Sequence, residues 1–150
     1  ARWARLGAAL LKCLKGLAAS TEAMDAMEGA GALPALVALL DRVAAQSGRK
    51  EDQASEASLI YLFFCLCRLK KSRQEAAARA GLVPHLMRAI CEERSTKQFA
   101  LQVACDLVYT NGYTRRALAA ARMPELLVAL LEGAGGPGSG GVGGAAGAGA

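Results

Sequence analysis

Histidine is nearly absent from this 150-residue sequence, in which His85 is the only one. With a single histidine, few catalytic arrangements that depend on histidine are available to the chain. His85 directly follows Pro84, where a helix is expected to begin, so its predicted role is structural or exposed. The sequence also lacks a Gly-Lys-Ser/Thr phosphate loop. We therefore predict no catalytic and no cofactor-binding residue.

The sequence lacks a recognisable set of metal-binding cysteines. Positions two apart on a helix, such as Cys65 and Cys67, point about 200° apart, and no second Cys/His pair completes four ligands. The predicted metal site is therefore none. Because the number of cysteines is odd and each lies in an apolar helical stretch, we expect them to be buried thiols in a reducing compartment. The five are Cys13, Cys65, Cys67, Cys91 and Cys105.

A long hydrophobic run is missing as well. The longest, residues 59–67, has nine residues, whereas a membrane helix needs about 20. No charged-then-apolar signal segment opens the chain. We expect no membrane partner and a cytoplasmic location, with a nuclear one as the alternative.

Residues that favour strands are scarce, while alanine and leucine dominate. This composition predicts an all-α fold for residues 1–132. Residues 133–150 differ: they hold ten of the seventeen glycines and no charge. Such a segment buries too little apolar surface to offset the entropy of ordering it, so we predict a disordered Gly/Ala-rich flexible linker.

Three similar segments recur, at residues 31–40, 81–90 and 122–131, and each contains a proline near its start. The prolines are 50 and 40 residues apart, and a polar loop at 46–53 accounts for the longer interval. A period near 40 is typical of armadillo and HEAT arrays. We predict an armadillo-type right-handed superhelical solenoid, with a partial repeat at 1–19, repeats at about 21–70 and 72–110, and a partial repeat at 112–132.

Local signals support this division. Gly31 and Gly81 suit the left-handed residue that follows a helix. Ser72 with Glu75, and Ser95 with Gln98, match the capping box that begins one. Residues 57–69 are apolar almost all round, which predicts a fully buried helix.

The stretches 73–87, 97–101 and 105–107 carry a more specific resemblance. They resemble the armadillo region of the epsilon-type plant mitogen-activated protein kinase kinase kinases, which are relatives of fungal septation and mitotic-exit kinases. The resemblance covers residues 70–131 and departs from the pattern at Ala121 and Arg122, where the family usually has glycines. It implies a parent serine/threonine kinase in which the repeats are a scaffold or regulatory part acting in cell division. The protein-kinase signatures themselves are absent, so this segment is predicted not to be an enzyme.

Armadillo import receptors line their groove with a tryptophan and an asparagine four residues apart on each long helix. The corresponding pairs here are Lys12 and Gly16, Tyr61 and Cys65, and Gln102 and Asp106. Because no asparagine ladder exists, we do not expect binding of nuclear import signals. The residues that we predict to line a groove for a protein or peptide ligand are Lys12, Tyr61, Arg68, Gln102, Asp106 and Tyr109.

A basic edge is predicted from the cations at two turns, and it suggests that the ligand is acidic. The matching turn of the first repeat is acidic, with Glu22, Asp25 and Glu28. Turns that are simply charged and solvated are the favoured alternative explanation. The predicted basic edge consists of Arg68, Lys70, Lys71, Arg73, Arg115 and Arg116.

The sequence therefore predicts a protein–protein interaction scaffold, the regulatory armadillo region of a kinase. A free-standing armadillo adaptor of the ubiquitin pathway or the cytoskeleton is the alternative. A nucleic-acid-binding solenoid is less favoured, because acidic residues are interspersed and no aromatics alternate with the cations.

Overall fold

The protein is all-helical in a computed structural model that describes residues 2–46 and 48–134, and the all-α prediction is confirmed for that part. Most of the predicted linker lies outside the described residues, although the last helix extends two residues past position 132. The helices are α1 (Arg2–Leu17), α2 (Thr21–Gly29), α3 (Ala32–Ala45), α4 (Lys50–Cys67), α5 (Lys71–Ala80), α6 (Val83–Cys91), α7 (Lys97–Val108), α8 (Gly112–Ala120) and α9 (Met123–Ala134).

Glycine and proline set the boundaries between short and proline-containing helices, as the sequence predicts. Gly31 follows α2 with φ of 75°, and Gly81 follows α5 with φ of 103°. These are left-handed conformations that glycine adopts without steric cost. Pro34 and Pro84 fall within the first three residues of α3 and α6, where the missing N–H is not needed.

The two predicted capping boxes are wrong. Ser72 is the second residue of α5 and donates a hydrogen bond to Glu28 Oε1 at 3.3 Å. Ser95 precedes Thr96, the N-cap of α7, which makes no side-chain capping bond. A reciprocal capping box begins α8 instead, where Thr114 N donates to Asn111 Oδ1 at 3.0 Å and Asn111 N donates to Thr114 Oγ1 at 3.2 Å. It was missed because threonine replaces the usual glutamate or glutamine.

Helices at corresponding places along the chain pack against one another. The long helices α1, α4 and α7 pack in that order, while α3 lies on α4 and α6 lies on α7. The short helix α5 contacts both α3 and α8. Two kinds of contact thus recur as the chain advances by three helices: that between successive long helices, and that between a proline-containing helix and the long helix after it.

The core lies between the proline-containing helices and the long helices. Its largest fully buried side chains include Leu40, Leu59, Ile60, Leu62, Phe63, Leu66, Leu86, Ile90, Val103 and Leu107. No single helix among the described residues is long and apolar enough to cross a membrane; α2 and α3 have sufficient length and composition only together, and they meet at a 78° bend.

The prediction that residues 57–69 are buried all round is wrong on one side. Tyr61, Phe64 and Cys65 are only half-buried, and Arg68 and Leu69 are exposed. The first four stand at positions i, i+3, i+4 and i+7, which share one face of a helix. Helix α4 therefore buries one face and leaves a second, partly aromatic face open.

The prediction that every cysteine is buried is also wrong. Cys67 is buried, Cys65 is half-buried, and Cys13, Cys91 and Cys105 are exposed. Burial raises the pKa of the Cys67 thiol to about 12. We expect the three exposed thiols of the native protein to react with a thiol reagent while Cys67 does not, because only thiolates attack. Peptide mass mapping would check this, and equal labelling of Cys67 and Cys91 would contradict the packing of α4.

Arg122, which precedes α9, occupies a left-handed conformation with φ of 63°. It stands where Gly31 and Gly81 stand in the earlier segments, and the left-handed region costs a residue with a Cβ about 1 kcal/mol. We expect Arg122→Gly to raise the free energy of unfolding by about 1 kcal/mol in urea titrations. Arg122→Ala is the control, since it removes the side chain and keeps the Cβ; equal stability of the two variants would contradict the explanation.

Candidate protein-binding face

The open face of α4 carries an aromatic cluster that extends onto α7. The rings of Tyr61 and Phe99 meet edge to face with centroids 5.2 Å apart. The centroids of Phe64 and Phe99 are 5.0 Å apart, and those of Tyr61 and Phe64 are 6.1 Å apart. Because each ring supports the others, the cluster forms a fixed apolar surface that is only partly shielded from water.

A pocket of about 280 Å³ opens beside this cluster. It lies between the C-terminal end of α1, the start of α2 and the open face of α4, and most of its lining is apolar. The lining residues are Lys15, Ala18, Ala19, Met24, Tyr61, Phe64, Cys65, Arg68 and Leu69. An apolar pocket with a few polar groups at its mouth is the usual form of a binding site.

Two cations stand over the aromatic rings of this pocket. Lys15 Nζ lies 5.2 Å from the centroid of the Tyr61 ring, and the Arg68 guanidinium carbon lies 5.5 Å from that of Phe64. These distances fall in the range of cation–π contacts. Within the described part of the chain neither cation forms a salt bridge, so the pocket presents a positive potential above an apolar floor.

The structure brings only two of the six predicted groove residues, Tyr61 and Arg68, into this pocket. Lys12 is exposed on α1 outside the lining. Gln102 Nε2 donates to Asp106 Oδ1 at 3.2 Å on α7, and Tyr109 caps that helix with 78% of its surface exposed. Their role in binding stays a prediction.

Sequence reasoning missed Lys15 and Phe64 as site residues. The four-residue spacing borrowed from import receptors selects Lys12 and Tyr61, and each missed residue lies three positions further along the same helix. A helical period of 3.6 places such residues on the same face. Searching that face for aromatic side chains would have found Phe64.

The predicted basic edge is corrected at two positions, Lys70 and Arg73, which form an ion cluster with Asp25 and Glu28 of α2. Lys70 Nζ lies 2.9 Å from Asp25 Oδ1 and 2.6 Å from Glu28 Oε2. Arg73 Nε lies 2.8 Å from Glu28 Oε2, and its Nη2 bonds to Asp25. Arg73 is buried, with 3% of its side chain exposed. The two charged turns therefore bind each other, and Arg73 cannot be part of an exposed edge.

The other members of the predicted basic edge are exposed. Lys71 and Arg116 form no salt bridge with the residues that the structure describes. Arg115 Nη1 donates to the Val108 carbonyl oxygen at 3.4 Å. Arg68 lines the pocket, and the remaining cations lie on α5 and α8.

The ion cluster shifts the pKa values of its members. The hydrogen bond from Lys70 is the main cause that lowers the pKa of both Asp25 and Glu28 below their ordinary values of 3.8 and 4.5. Hydrogen bonds to Glu28 and then Asp25 raise the pKa of Lys70 above its ordinary value of 10.5. Each charged form is thus favoured in the folded protein.

A pH dependence of stability follows from these shifts. Carboxyl groups with a lowered pKa stabilise the fold above their unfolded pKa and lose this effect as the pH falls through the folded pKa. A lysine with a raised pKa stabilises it below the unfolded pKa and loses this effect as the pH rises through the folded pKa. We expect the cluster to contribute a constant amount between about pH 5 and about pH 10 and less on both sides.

Urea titrations of the wild type and of Lys70→Met would measure this dependence. The stability difference between the two proteins should shrink below about pH 4, where the carboxylates become neutral. A difference that stays constant down to strongly acidic pH would contradict the ion cluster.

His85 has a structural role. Its side chain is buried on α6, and Nε2 lies 2.7 Å from Asp41 Oδ1 on α3. A second cross-helix pair, Arg88 with Glu56 at 2.7 Å, ties α6 to α4. No group of three or more potential metal ligands occurs among the described residues.

No protein-family model and no solved structure matches the chain. Curated proteins do match it. Cytokinesis protein sepH of Aspergillus niger is 34% identical over 111 residues, which are 73% of this chain and 8% of that protein. MAP3K epsilon protein kinase 1 of Brassica napus is 32% identical over 109 residues, again 73% of this chain and 8% of the relative. The Arabidopsis thaliana protein of the same name is 30% identical over 123 residues, 82% of this chain and 9% of the relative.

These matches support the kinase relationship that the sequence resemblance implied. The chain spans less than a tenth of the length of these curated relatives. The matching segment is therefore only a small part of each relative. Over about three quarters of its length, the chain is thus similar to a short segment of the sepH and MAP3K epsilon proteins.

Proposed function

We propose that this chain is a non-catalytic, protein-binding region of a serine/threonine kinase that acts in cell division, and that it works in the cytoplasm. The printed names of its relatives, a cytokinesis protein and MAP3K epsilon kinases, support the cellular setting. The observation that carries the binding role is the open face of α4. A helix at the centre of the fold would ordinarily bury such an aromatic surface, and here Tyr61 and Phe64 stay half-exposed beside a pocket.

We further propose an armadillo-type solenoid as the arrangement that presents this face. The order of contacts supports it, because α1, α4 and α7 pack in succession and α5 contacts both α3 and α8. In a solenoid each repeat contacts its neighbours, and corresponding helices line one wall. The pocket and the ring cluster lie on the wall formed by α1, α4 and α7.

The test begins with the full-length transcript. A kinase domain encoded in the same reading frame would support the proposal, and its absence would favour the free-standing adaptor. The second step deletes residues 1–134 from the parent. We expect the deleted kinase to phosphorylate a generic substrate in vitro but to fail to restore cell division in a strain that lacks the parent.

Two controls make the deletion informative. The double variant Tyr61→Ala, Phe64→Ala should reproduce the failure, because it removes two rings of the exposed cluster without touching the fully buried core. The matched variant Lys50→Ala, at the start of α4 and outside the pocket lining, should restore division. Full rescue by the deleted kinase would overturn the proposed role, and loss of kinase activity in vitro would show instead that the region supports the catalytic domain.

A further inference from the structure

We propose that the pocket between α1, α2 and α4 binds a short acidic segment of a partner protein, with a large apolar side chain in the pocket and carboxylates against Lys15 and Arg68. This inference rests on the proposed protein-binding function and names the chemistry of the partner. Three observations support this inference: the charge of the pocket, the shape of the pocket, and one exposed leucine, Leu69, at its rim.

Charge is the first observation. Some cations elsewhere in the described chain have carboxylate partners, such as Arg79 with Glu75 and Arg88 with Glu56, whereas others, such as Lys71, have none. The pocket cations Lys15 and Arg68 have none there and lie over aromatic rings instead. Helix α1 contains four cations and no acidic residue.

The neighbouring carboxylates do not serve as the missing partners. Asp25 and Glu28 on α2 are held by Lys70 and Arg73 at distances of 2.5–2.9 Å. The ion cluster therefore engages two of the three carboxylates of α2, and the third, that of Glu22, forms no salt bridge with Lys15 or Arg68. The positive potential of the pocket favours a negatively charged ligand.

Shape is the second observation. A volume of about 280 Å³ is small for a ligand site, since pockets for small molecules start at roughly 300 Å³. It accommodates one or two large side chains and cannot enclose a helix. Arginine and tyrosine at the rim are residue types that often dominate binding energy. The fitting ligand is thus one apolar anchor side chain within an extended acidic segment.

Leu69 is the third observation. It lines the rim of the pocket with 95% of its surface exposed and with φ of 67°, a left-handed conformation that is costly for leucine. The next residue, Lys70, is fixed by the ion cluster, which holds the turn in place. A large apolar side chain exposed to water beside an apolar pocket is suited to pack on a partner's anchor residue.

The experiment is a selection from a random library of short peptides displayed on phage, with the native chain as bait. Enriched peptides are synthesised with a fluorophore, and their affinity is measured by anisotropy. We expect them to combine a leucine, isoleucine or aromatic residue with several carboxylates. Binding should fall at least roughly tenfold for Lys15→Glu and for Arg68→Glu, and also for peptides whose carboxylates are changed to amides.

Lys50→Glu is the matched control, because it reverses an exposed cation at the opposite end of α4, outside the pocket lining, and should leave binding unchanged. Circular dichroism would verify that each variant is folded, and all substituted side chains are exposed. Enriched peptides without carboxylates, equal loss of binding in the control, or no enrichment at all would overturn the proposal. A chain that dimerises in sedimentation and becomes monomeric in Arg68→Glu would show that a second copy occupies the pocket, which also overturns it. None of these outcomes bears on the kinase parentage, which the transcript tests separately.

Discussion

Phe63→Ala is expected to lower the free energy of unfolding by about 4 kcal/mol. Phe63 is fully buried on α4, and the truncation leaves a cavity that its neighbours can fill only in part. The adjacent Phe64 lies on the open face, so Phe64→Ala removes less buried surface and should cost about 1–2 kcal/mol. Urea unfolding followed by circular dichroism would compare the two variants.

The comparison of these neighbours tests how α4 is rotated in the fold. Phe64→Ala is expected to weaken peptide binding while the protein stays folded. A result in which Phe64→Ala destabilises the chain as much as Phe63→Ala would mean that both rings lie in the core, and the pocket described above would then not exist.

Arg73→Met is expected to destabilise the protein by about 2 kcal/mol, because it removes the charged hydrogen bonds that a buried guanidinium makes to two carboxylates. Its guanidinium bridges Asp25 and Glu28 while 97% of the side chain is shielded. Methionine preserves much of the volume, so the loss would report the charge interaction rather than a cavity. The amide protons of α2 should exchange faster in the variant, because the ion cluster links this helix to α5.

Lys70→Met is the matched control for Arg73→Met. It removes a cation from the same two carboxylates, but 41% of the Lys70 side chain is exposed, and water therefore screens its ion pairs. We therefore expect a clearly smaller loss of stability than for Arg73→Met. Equal losses for the two variants would contradict the burial of Arg73.

Local sequence signals predicted the helix boundaries better than they predicted the exposed surface. The backbone conformation at a glycine or a proline can be inferred from the residue type itself, as at Gly31, Gly81 and Pro84. Each of these residues affects only the few residues around it. The apolar content of α4 carries no such information. A segment that is apolar on every side does not reveal which face the fold leaves open, so Tyr61 and Phe64 could not be assigned in advance.

The ion cluster could not be predicted from sequence patterns, for a different reason. Asp25 and Lys70 are 45 residues apart, and their contact depends on how α3 and α4 place α2 beside α5. The charges of both turns were visible, and the sequence suggested that the basic one attracts an external acidic ligand. Their pairing inside the molecule could be found only from the packing of the helices.

The ion cluster also bears on the order in which the chain can fold during synthesis. A ribosome that has released α2, α3 and α4 has not yet released Lys70 and Arg73, so Asp25 and Glu28 face water without their cations. The first group of helices thus reaches its full stability only after α5 emerges. A nascent chain stalled before that point would expose the face of α2 that carries Asp25 and Glu28 to chaperones and proteases. A chain stalled about a dozen residues later would not expose it.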